Sequence, residues 1–266
     1  MSDETTNNVD VIVPPLAADG SVARDYQLLV ETVDIDTQKT IQYLGDFPLK
    51  YRFWMRRVMG AKMVATSKLL TSRPGRVTHV WQTPWAFSLS EMQARLHEEA
   101  RRSPWVSEMF GYVSHVSYDM LVPTFYDPGR CWVVPGADGC SCGPGKKRLP
   151  NVEVGDYRIM DVISVKPGRL DDLAAAKARH FVPEAREFGI ALIASGTRVA
   201  EPRRLVQLWS VPSVDSLVDA IKKFSELGWY NQMFQHDIES EDQDLMVPSL
   251  HDPEPTLNGD CWQFPV

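Results

Sequence analysis

The sequence lacks the features that mark several large classes of protein. No uninterrupted apolar run reaches the roughly 18 residues of a membrane-spanning helix, and the first eight residues are polar and acidic, unlike a signal peptide. Basic residues are outnumbered, with 28 Lys and Arg against 35 Asp and Glu, which gives a net charge of -7. Because a nucleic-acid backbone requires a basic surface, we expect no nucleic-acid partner. The sequence predicts a cytoplasmic protein with no membrane partner.

Cysteine is scarce, with four in 266 residues, and in the cytoplasm these are expected to be reduced thiols. Cys140 and Cys142 have no further Cys or His pair at zinc spacing, so no metal site is predicted. Cys131 and Cys261 stand before a Trp at matched positions, which favours packing over nucleophilic catalysis. The chain also has no glycine-rich phosphate loop and no Gly-x-Ser-x-Gly elbow. We therefore predict no cofactor.

The sequence does contain a long internal repeat. The segment at 119–123 (DMLVP) returns at 244–248 (DLMVP), and each copy is followed by a Cys-Trp pair. A separation of 128 residues joins Trp81 to Trp209, and the same separation joins the Pro and Ser residues that follow them. Self-similarity at a fixed separation indicates a duplicated structural unit. One half of the chain is therefore predicted to be a copy of the other.

Each half shows hydrophobic periodicities in the order strand, helix, strand, strand, helix, strand. The first helix is predicted to run from Asp36 to Gly60 with a bend at Pro48, and its counterpart to run over 170–188 and stop at Gly189. A final helix is predicted over 213–234. This β-α-β-β-α-β order is the ferredoxin-like arrangement, so the predicted fold class is α+β.

Five segments are predicted. A flexible N-terminal arm (1–24) precedes the first ferredoxin-like repeat (25–128), and a Gly/Pro-rich segment (129–155) precedes the second repeat (156–253) and a C-terminal tail (254–266). Long connections in compact domains are either linkers or functional lids, and both interpretations of 129–155 stay open.

Tryptophans at matched positions support a family resemblance. Trp81 and Trp209 end the third strand of each half ahead of a Ser-containing helix start, Trp105 and Trp229 lie later in the helical region, and a Val-Pro pair closes each half. This pattern resembles a tandem duplication of the NIPSNAP family, within the dimeric α+β barrel superfamily. The resemblance implies two four-stranded sheets that face each other as a pseudo-dimeric barrel in one chain. It also implies diverse chemistry, from cofactor-free monooxygenases, cyclases and isomerases to haem-dependent enzymes, so fold alone does not fix function.

Histidine is the commonest acid–base group near neutral pH. His79 shares a strand face with Trp81 and has Gln207 as its counterpart, so it is either a polar group projecting into the barrel or a hydrogen-bonded core histidine. His115 shares a face of the fourth strand with Asp119, but a separation of about 13 Å prevents direct contact. A solvated edge strand is the alternative there.

Two further residues are candidates for catalysis. His180 precedes Pro183 in a helix, and it is either an acid–base residue, a haem ligand or an exposed histidine. Asp161 interrupts an apolar strand where the first half is predicted to have Val30. A carboxylate in such a place is costly unless it is paired or used, so Asp161 ranks first among the catalytic candidates, ahead of His180, His79 and His115.

Four tryptophans are candidates for substrate binding: Trp54, Trp81, Trp85 and Trp209. Trp54 and Trp85 are not repeated in the second half. If they face the barrel interior, they suit an aromatic or terpenoid substrate, whereas core packing is the alternative for each of the four.

The first functional hypothesis is a cofactor-independent lyase, isomerase or cyclase of secondary metabolism. It would use acid–base residues in an apolar barrel cavity on a hydrophobic small molecule. A non-catalytic protein that binds a small molecule or a partner is the second hypothesis. A haem protein with His180 as axial ligand, or a cofactor-free monooxygenase, is the third. The sequence leaves open whether the chain forms a homo-oligomer.

Overall fold

The computed structural model describes residues 26–70, 75–124 and 157–249. The predicted arm, the 129–155 segment, the tail and the four cysteines lie outside these ranges, and the predicted segment boundaries stay predictions. Within the described ranges, no helix combines the length and apolar character needed to cross a membrane.

The strands and helices follow the predicted order in both halves. The strands are β1 (Tyr26–Ile35), β2 (Lys62–Leu69), β3 (Arg76–Pro84), β4 (Val113–Pro123), β5 (Tyr157–Val165), β6 (Ala191–Arg198), β7 (Arg204–Val211) and β8 (Ile238–Pro248). The helices are α1 (Thr40–Leu49), α2 (Tyr51–Met59), α3 (Leu89–Arg102), α4 (Trp105–Phe110), α5 (Leu170–Ala176), α6 (Val182–Glu187), α7 (Val214–Ser225) and α8 (Gly228–His236). A 3₁₀ turn (Thr37–Lys39) precedes α1, and a π-helical turn (Lys177–Phe181) joins α5 to α6.

Two predicted helices are interrupted. The helix predicted from Asp36 to Gly60 divides into α1 and α2 at Lys50, two residues after Pro48, because a proline inside a helix removes one backbone donor and crowds the preceding turn. The helix predicted over 213–234 divides into α7 and α8 at Leu227, whose backbone is extended. The stop predicted at Gly60 is confirmed, since this residue adopts a left-handed conformation with φ of 65°.

The eight strands form one closed antiparallel barrel in the order β1-β3-β2-β8-β5-β7-β6-β4. Each half contributes four neighbouring strands. Two short junctions join the halves: β2 pairs with β8 from Ser67 to Leu69, and β4 pairs with β6 from Leu121 to Pro123. The predicted fold class, an α+β chain whose two ferredoxin-like repeats close into one pseudo-dimeric barrel, is confirmed.

Strand alternation divides each sheet into an inner and an outer face. The inner faces of both halves meet in one apolar cluster inside the barrel, formed by Leu28, Val30, Val64, Ala65, Leu69, Val80, Leu121, Met160, Ile193, Val206, Leu208 and Met246. The outer faces are covered by the helices, which form separate apolar clusters with each sheet. The two sheets therefore pack on each other inside the barrel and on the helices outside it. The two helix–sheet interfaces hold the polar groups described next.

Candidate active site

The strand register shows which residues of the two halves correspond. Glu31 pairs with His79 between β1 and β3, and Asp161 pairs with Gln207 between β5 and β7. Because Gln207 is the counterpart of His79, Glu31 is the counterpart of Asp161. The prediction that Val30 holds that place is wrong by one residue, and a one-residue shift moves a side chain to the opposite face of a sheet. Both halves therefore bury a carboxylate, with Glu31 1% exposed and Asp161 4% exposed.

These polar side chains face the helices and not the barrel interior. Glu31 accepts a hydrogen bond from Tyr51 of α2, and Gln207 accepts one from Lys177 of the π-helical turn. Of the two interpretations of His79, the one that places it inside the barrel is therefore wrong, and Asp161 does not face the barrel cavity in which the acid–base residues were expected. The inner face already carries the apolar cluster, and period-two alternation sends these residues to the other side.

Glu31 is fully bonded in the first half. Its Oε1 accepts from the Tyr51 hydroxyl at 3.0 Å, and its Oε2 accepts from the Trp81 indole Nε1 at 2.9 Å. Burial raises the pKa of Glu31 from 4.5 to about 7, against the hydrogen bonds from Trp81, Tyr51 and Tyr118, which lower it. A buried carboxylate with both oxygens occupied is typical of a structural network.

His79 is bonded just as completely. Its Nε2 lies 3.0 Å from the Tyr43 hydroxyl and its Nδ1 lies 2.8 Å from the Thr66 hydroxyl. Its ring stacks on Phe47, with centroids 4.1 Å apart and an interplanar angle of 8°. These contacts describe a hydrogen-bonded core histidine, which was one of the two interpretations left open by the sequence.

In the second half a buried lysine contacts Gln207, the counterpart of His79. Lys177 is 2% exposed, and its Nζ donates to the Gln207 Oε1 at 2.7 Å. Gln207 in turn donates to the Ser195 hydroxyl at 3.2 Å, which lies 2.8 Å from the Thr124 hydroxyl. A polar chain therefore runs from the buried amine to the end of β4.

Aromatic rings surround the Lys177 amine. Its Nζ lies 5.0 Å from the centroid of Phe181 and 5.9 Å from that of Trp209, both within cation–π range. Burial lowers the pKa of Lys177, while the charges of Asp161 and Glu241 oppose that shift. The amine is thus held in an apolar setting, within electrostatic range of two carboxylates.

Asp161 differs from Glu31 in being incompletely bonded. Burial raises the pKa of Asp161 from 3.8 to about 7, opposed first by the charge of Lys177. Its Oδ1 and the Trp209 Nε1 are both buried and have no hydrogen-bond partner among the described residues. The indole still lowers the pKa of Asp161, although the pair falls short of hydrogen-bond geometry. The cause is chain length, because Asp is one methylene shorter than the glutamate that reaches Trp81 in the first half.

A π-helical turn positions Lys177. The Val182 N–H donates to the Lys177 carbonyl, five residues earlier, and Pro183 follows with no N–H to donate. The helix ahead of Pro183 therefore contains a widened turn. Such turns occur often at functional sites. The sequence did indicate that Lys177 is unusual. It lies four residues after Leu173 and four residues before Phe181, on a helix face that is otherwise apolar.

The other candidate histidines lie elsewhere. His180 is exposed on the π-helical turn, with its ring 5.5 Å from that of Trp229, and His115 is exposed on β4. Asp119 forms an ion pair with Arg198 at 3.1 Å. His79, His115 and His180 therefore do not join Asp161 in one site, and their catalytic roles stay predictions.

A haem group does not fit the described residues at this interface. His180, the predicted axial ligand, is exposed to solvent, so it does not provide a buried axial position for haem at this interface. Among the described residues no group of three or more His, Cys, Asp or Glu is arranged to hold a metal ion.

The four tryptophan candidates are also distributed differently from the prediction. Trp81 and Trp209 are buried between sheet and helices, and Trp54 packs in the same layer, with its ring 6.2 Å from that of Tyr51. Trp85 is 46% exposed in the turn after β3. None of the four belongs to the cluster inside the barrel. Trp209 alone among them borders the Asp161–Lys177 site, and substrate binding by any of them stays a prediction.

Comparisons with known proteins support the fold. No protein-family model and no curated protein matches the chain. A proposed monooxygenase from Lactobacillus acidophilus NCFM is similar with a TM-score of 0.55 and 9% identity, over 85% of this chain and 94% of that one. A proposed monooxygenase from Fusobacterium nucleatum subsp. nucleatum ATCC 25586 is similar with a TM-score of 0.51 and 10% identity, over 85% and 93%.

The comparisons do not establish the NIPSNAP resemblance. An uncharacterised NIPSNAP domain protein from Burkholderia xenovorans is similar over 37% of this chain and 99% of its own, with 10% identity and a TM-score of 0.32. Similarity at this level does not assign the chain to that family. The comparisons, together with the closed eight-stranded barrel, show a chain with the fold of the dimeric α+β barrel proteins, in which both halves of the barrel belong to one polypeptide.

Proposed function

We propose that this protein is an acid–base enzyme that acts on a hydrophobic small molecule at the helix–sheet interface of its second half. Asp161 is the group that accepts and returns a proton, and the reaction is of the cofactor-free lyase, isomerase or cyclase type. One observation carries the proposal: Asp161 keeps a buried oxygen with no hydrogen-bond partner among the described residues, within electrostatic range of Lys177, whereas its counterpart Glu31 has both oxygens occupied.

The acidity of Asp161 suits proton transfer near neutral pH. A general acid–base group works best when its pKa is close to the operating pH, and burial brings the pKa of Asp161 to about 7. In the proposed step a C–H or O–H proton of the substrate passes to the free Oδ1, and the electron pair of that bond stays on the substrate. Return of the proton at another atom gives isomerisation or ring closure.

The surroundings favour an apolar, cyclic substrate. Phe181, Phe224 and Tyr230 pack against one another beside the site, with ring centroids 4.7 to 6.1 Å apart. Flat aromatic faces bind ring compounds with little loss of conformational freedom. Localisation in the cytoplasm remains part of this proposal.

The test is proton exchange in deuterated water. Purified protein is incubated with hydrophobic cyclic ketones, with 2-tetralone as the first probe, and deuterium uptake next to the carbonyl is followed by mass spectrometry. We expect uptake by the unaltered protein and a loss of about 10²- to 10⁴-fold in Asp161→Asn, the usual range for a general acid–base group.

Glu31→Gln is the matched control, because it alters the corresponding carboxylate in the other half. We expect it to change stability and to leave the exchange rate within about twofold. Equal exchange by Asp161→Asn and the unaltered protein contradicts the proposal. Binding of the probe without exchange supports the non-catalytic binding protein in its place.

A further inference from the structure

Lys177 is a buried lysine whose bonds within the protein would leave the charge of an ammonium group unbalanced. Among the described residues its Nζ donates to one neutral acceptor, the Gln207 amide oxygen, and lies over the rings of Phe181 and Trp209. No described carboxylate comes within ion-pair distance, although Asp161 and Glu241 act on it at longer range. Ammonium groups are almost never buried in this way unless an anion pairs with them.

The duplication provides an internal comparison. In the first half the Tyr43 hydroxyl lies 3.0 Å from His79, at the place where Lys177 meets Gln207 in the second half. Tyr43 is 1% exposed, and burial raises its pKa well above the usual value, so this position is uncharged. The fold is therefore satisfied by a neutral side chain here, and the cation is a particular feature of the half that holds the unbonded Asp161 oxygen.

We infer that Lys177 binds an oxyanion of the substrate, and that the substrate class is a hydrophobic ring compound with a phenolic or enolic oxygen beside the bond at which Asp161 acts. The inference rests on the proposed function and deepens it. The Nζ has two further N–H donors besides the one given to Gln207, so it can donate to a ligand oxygen while Gln207 keeps its orientation.

The proton balance is simple. The substrate hydroxyl or the C–H next to a carbonyl gives its proton to the Asp161 carboxylate, and the electron pair left behind becomes a phenolate or enolate oxygen paired with the Lys177 ammonium. A fixed cation in an apolar site stabilises the negative charge that develops during the reaction. This stabilisation is one of the strongest catalytic effects. Phe181 and Trp209 then contact the ring that carries the oxygen.

The experiment uses 4-nitrophenol, whose ionised form is yellow, and its neutral methyl ether 4-nitroanisole. At a pH where free 4-nitrophenol is mostly protonated, we expect the protein to bind it as the phenolate and the yellow absorbance to grow with protein concentration. Lys177→Met is expected to weaken binding about tenfold or more and to abolish the colour, since hydrogen bonds to charged groups are the stronger class. Binding of 4-nitroanisole is expected to be unchanged, which shows that the site is still formed.

Lys222→Met is the matched control. It removes a lysine of α7 whose side chain is 71% exposed, and it should behave as the unaltered protein. The inference is overturned if Lys177→Met gives the same colour and the same affinity for 4-nitrophenol as the unaltered protein. It is also overturned if the unaltered protein binds 4-nitrophenol only in its neutral form, or binds neither 4-nitrophenol nor 4-nitroanisole. Asp161→Asn separates the two proposals, because it should keep phenolate binding while losing proton exchange. Undiminished exchange in Asp161→Asn contradicts the proposed function, whereas unaltered phenolate binding in Lys177→Met contradicts only the inference about the substrate.

Discussion

Ionisation of Glu31 should make the stability of this protein fall as pH rises. Burial raises the pKa of Glu31 from 4.5 to about 7, so the folded protein binds this proton more tightly than the unfolded chain does. Between these pH values the folded state holds the proton while the unfolded state has released it, and the free energy of unfolding therefore decreases with increasing pH. Above pH 7 both states are ionised and the contribution becomes constant.

The magnitude follows from the size of the shift. At about 1.4 kcal/mol for each pKa unit, the change from 4.5 to about 7 corresponds to roughly 3 kcal/mol. This is a large fraction of the 5–15 kcal/mol that stabilises a typical protein, so it is measurable. Glu31→Gln removes the titration, and the stability of this variant relative to the unaltered protein should rise by about that amount between pH 4 and pH 8.

Urea unfolding followed by tryptophan fluorescence at four pH values from 4 to 8 measures the effect. Asp161 contributes a similar slope from the other half, so the quantity to compare is the difference between the unaltered protein and Glu31→Gln. Glu187→Gln, at an exposed position of α6, is the control and should stay parallel to the unaltered protein. A difference for Glu31→Gln that does not change with pH would show that Glu31 is not a titrating buried carboxyl in this range.

Three further predictions concern the same layer. Tyr51→Phe removes the donor to the Glu31 Oε1 and should lower the free energy of unfolding by about 1–3 kcal/mol. The loss should be larger at pH 8 than at pH 5, because the hydrogen bond favours the ionised carboxylate. Urea unfolding at both pH values measures this difference. His79→Ala should lower the free energy of unfolding by at least about 2 kcal/mol while leaving proton exchange within twofold, since His79 is a fully bonded core residue in the half without the proposed site. His180→Ala and His115→Ala should each change stability by less than about 0.5 kcal/mol because both residues are exposed, so any loss of exchange in either variant would reveal a chemical role.

The residue correspondence predicted from the repeat is correct on the third strands of the two halves and wrong by one residue on the first strands. Trp81 and Trp209 are 128 residues apart, and this separation gives the correct correspondence of His79 with Gln207. Separations drift between elements because loops differ in length, and β1 and β5 correspond at 130 residues. A strand pattern cannot reveal an error of one residue here, because both faces of these strands are buried and apolar residues occur on each. The register of the paired strands supplied the missing information.

Lys177 shows the limit of reasoning from residue types. Its spacing from Leu173 and Phe181 places it on the apolar side of a helix, but long lysine side chains often extend from such a face to solvent. Only the packing of α5 and α6 on the sheet shows that the amine ends at Gln207 and the Trp209 ring. Histidines were the expected acid–base groups because the usual pKa of a histidine is near neutral pH. Burial, however, raises the pKa values of Asp161 and Glu31 to about 7.

The sequence by itself determined the duplicated α+β plan, the order of strands and helices in each half and the presence of an unusual carboxylate on β5, since these follow from local periodicity and from repetition along the chain. Tertiary structure decided where the two sheets meet, which face of each strand lies beneath the helices and which polar groups are left without partners. Those properties depend on contacts between residues far apart in the chain, and a difference of one methylene between Asp161 and Glu31 acquires meaning only when the distance to the indole is fixed by the fold.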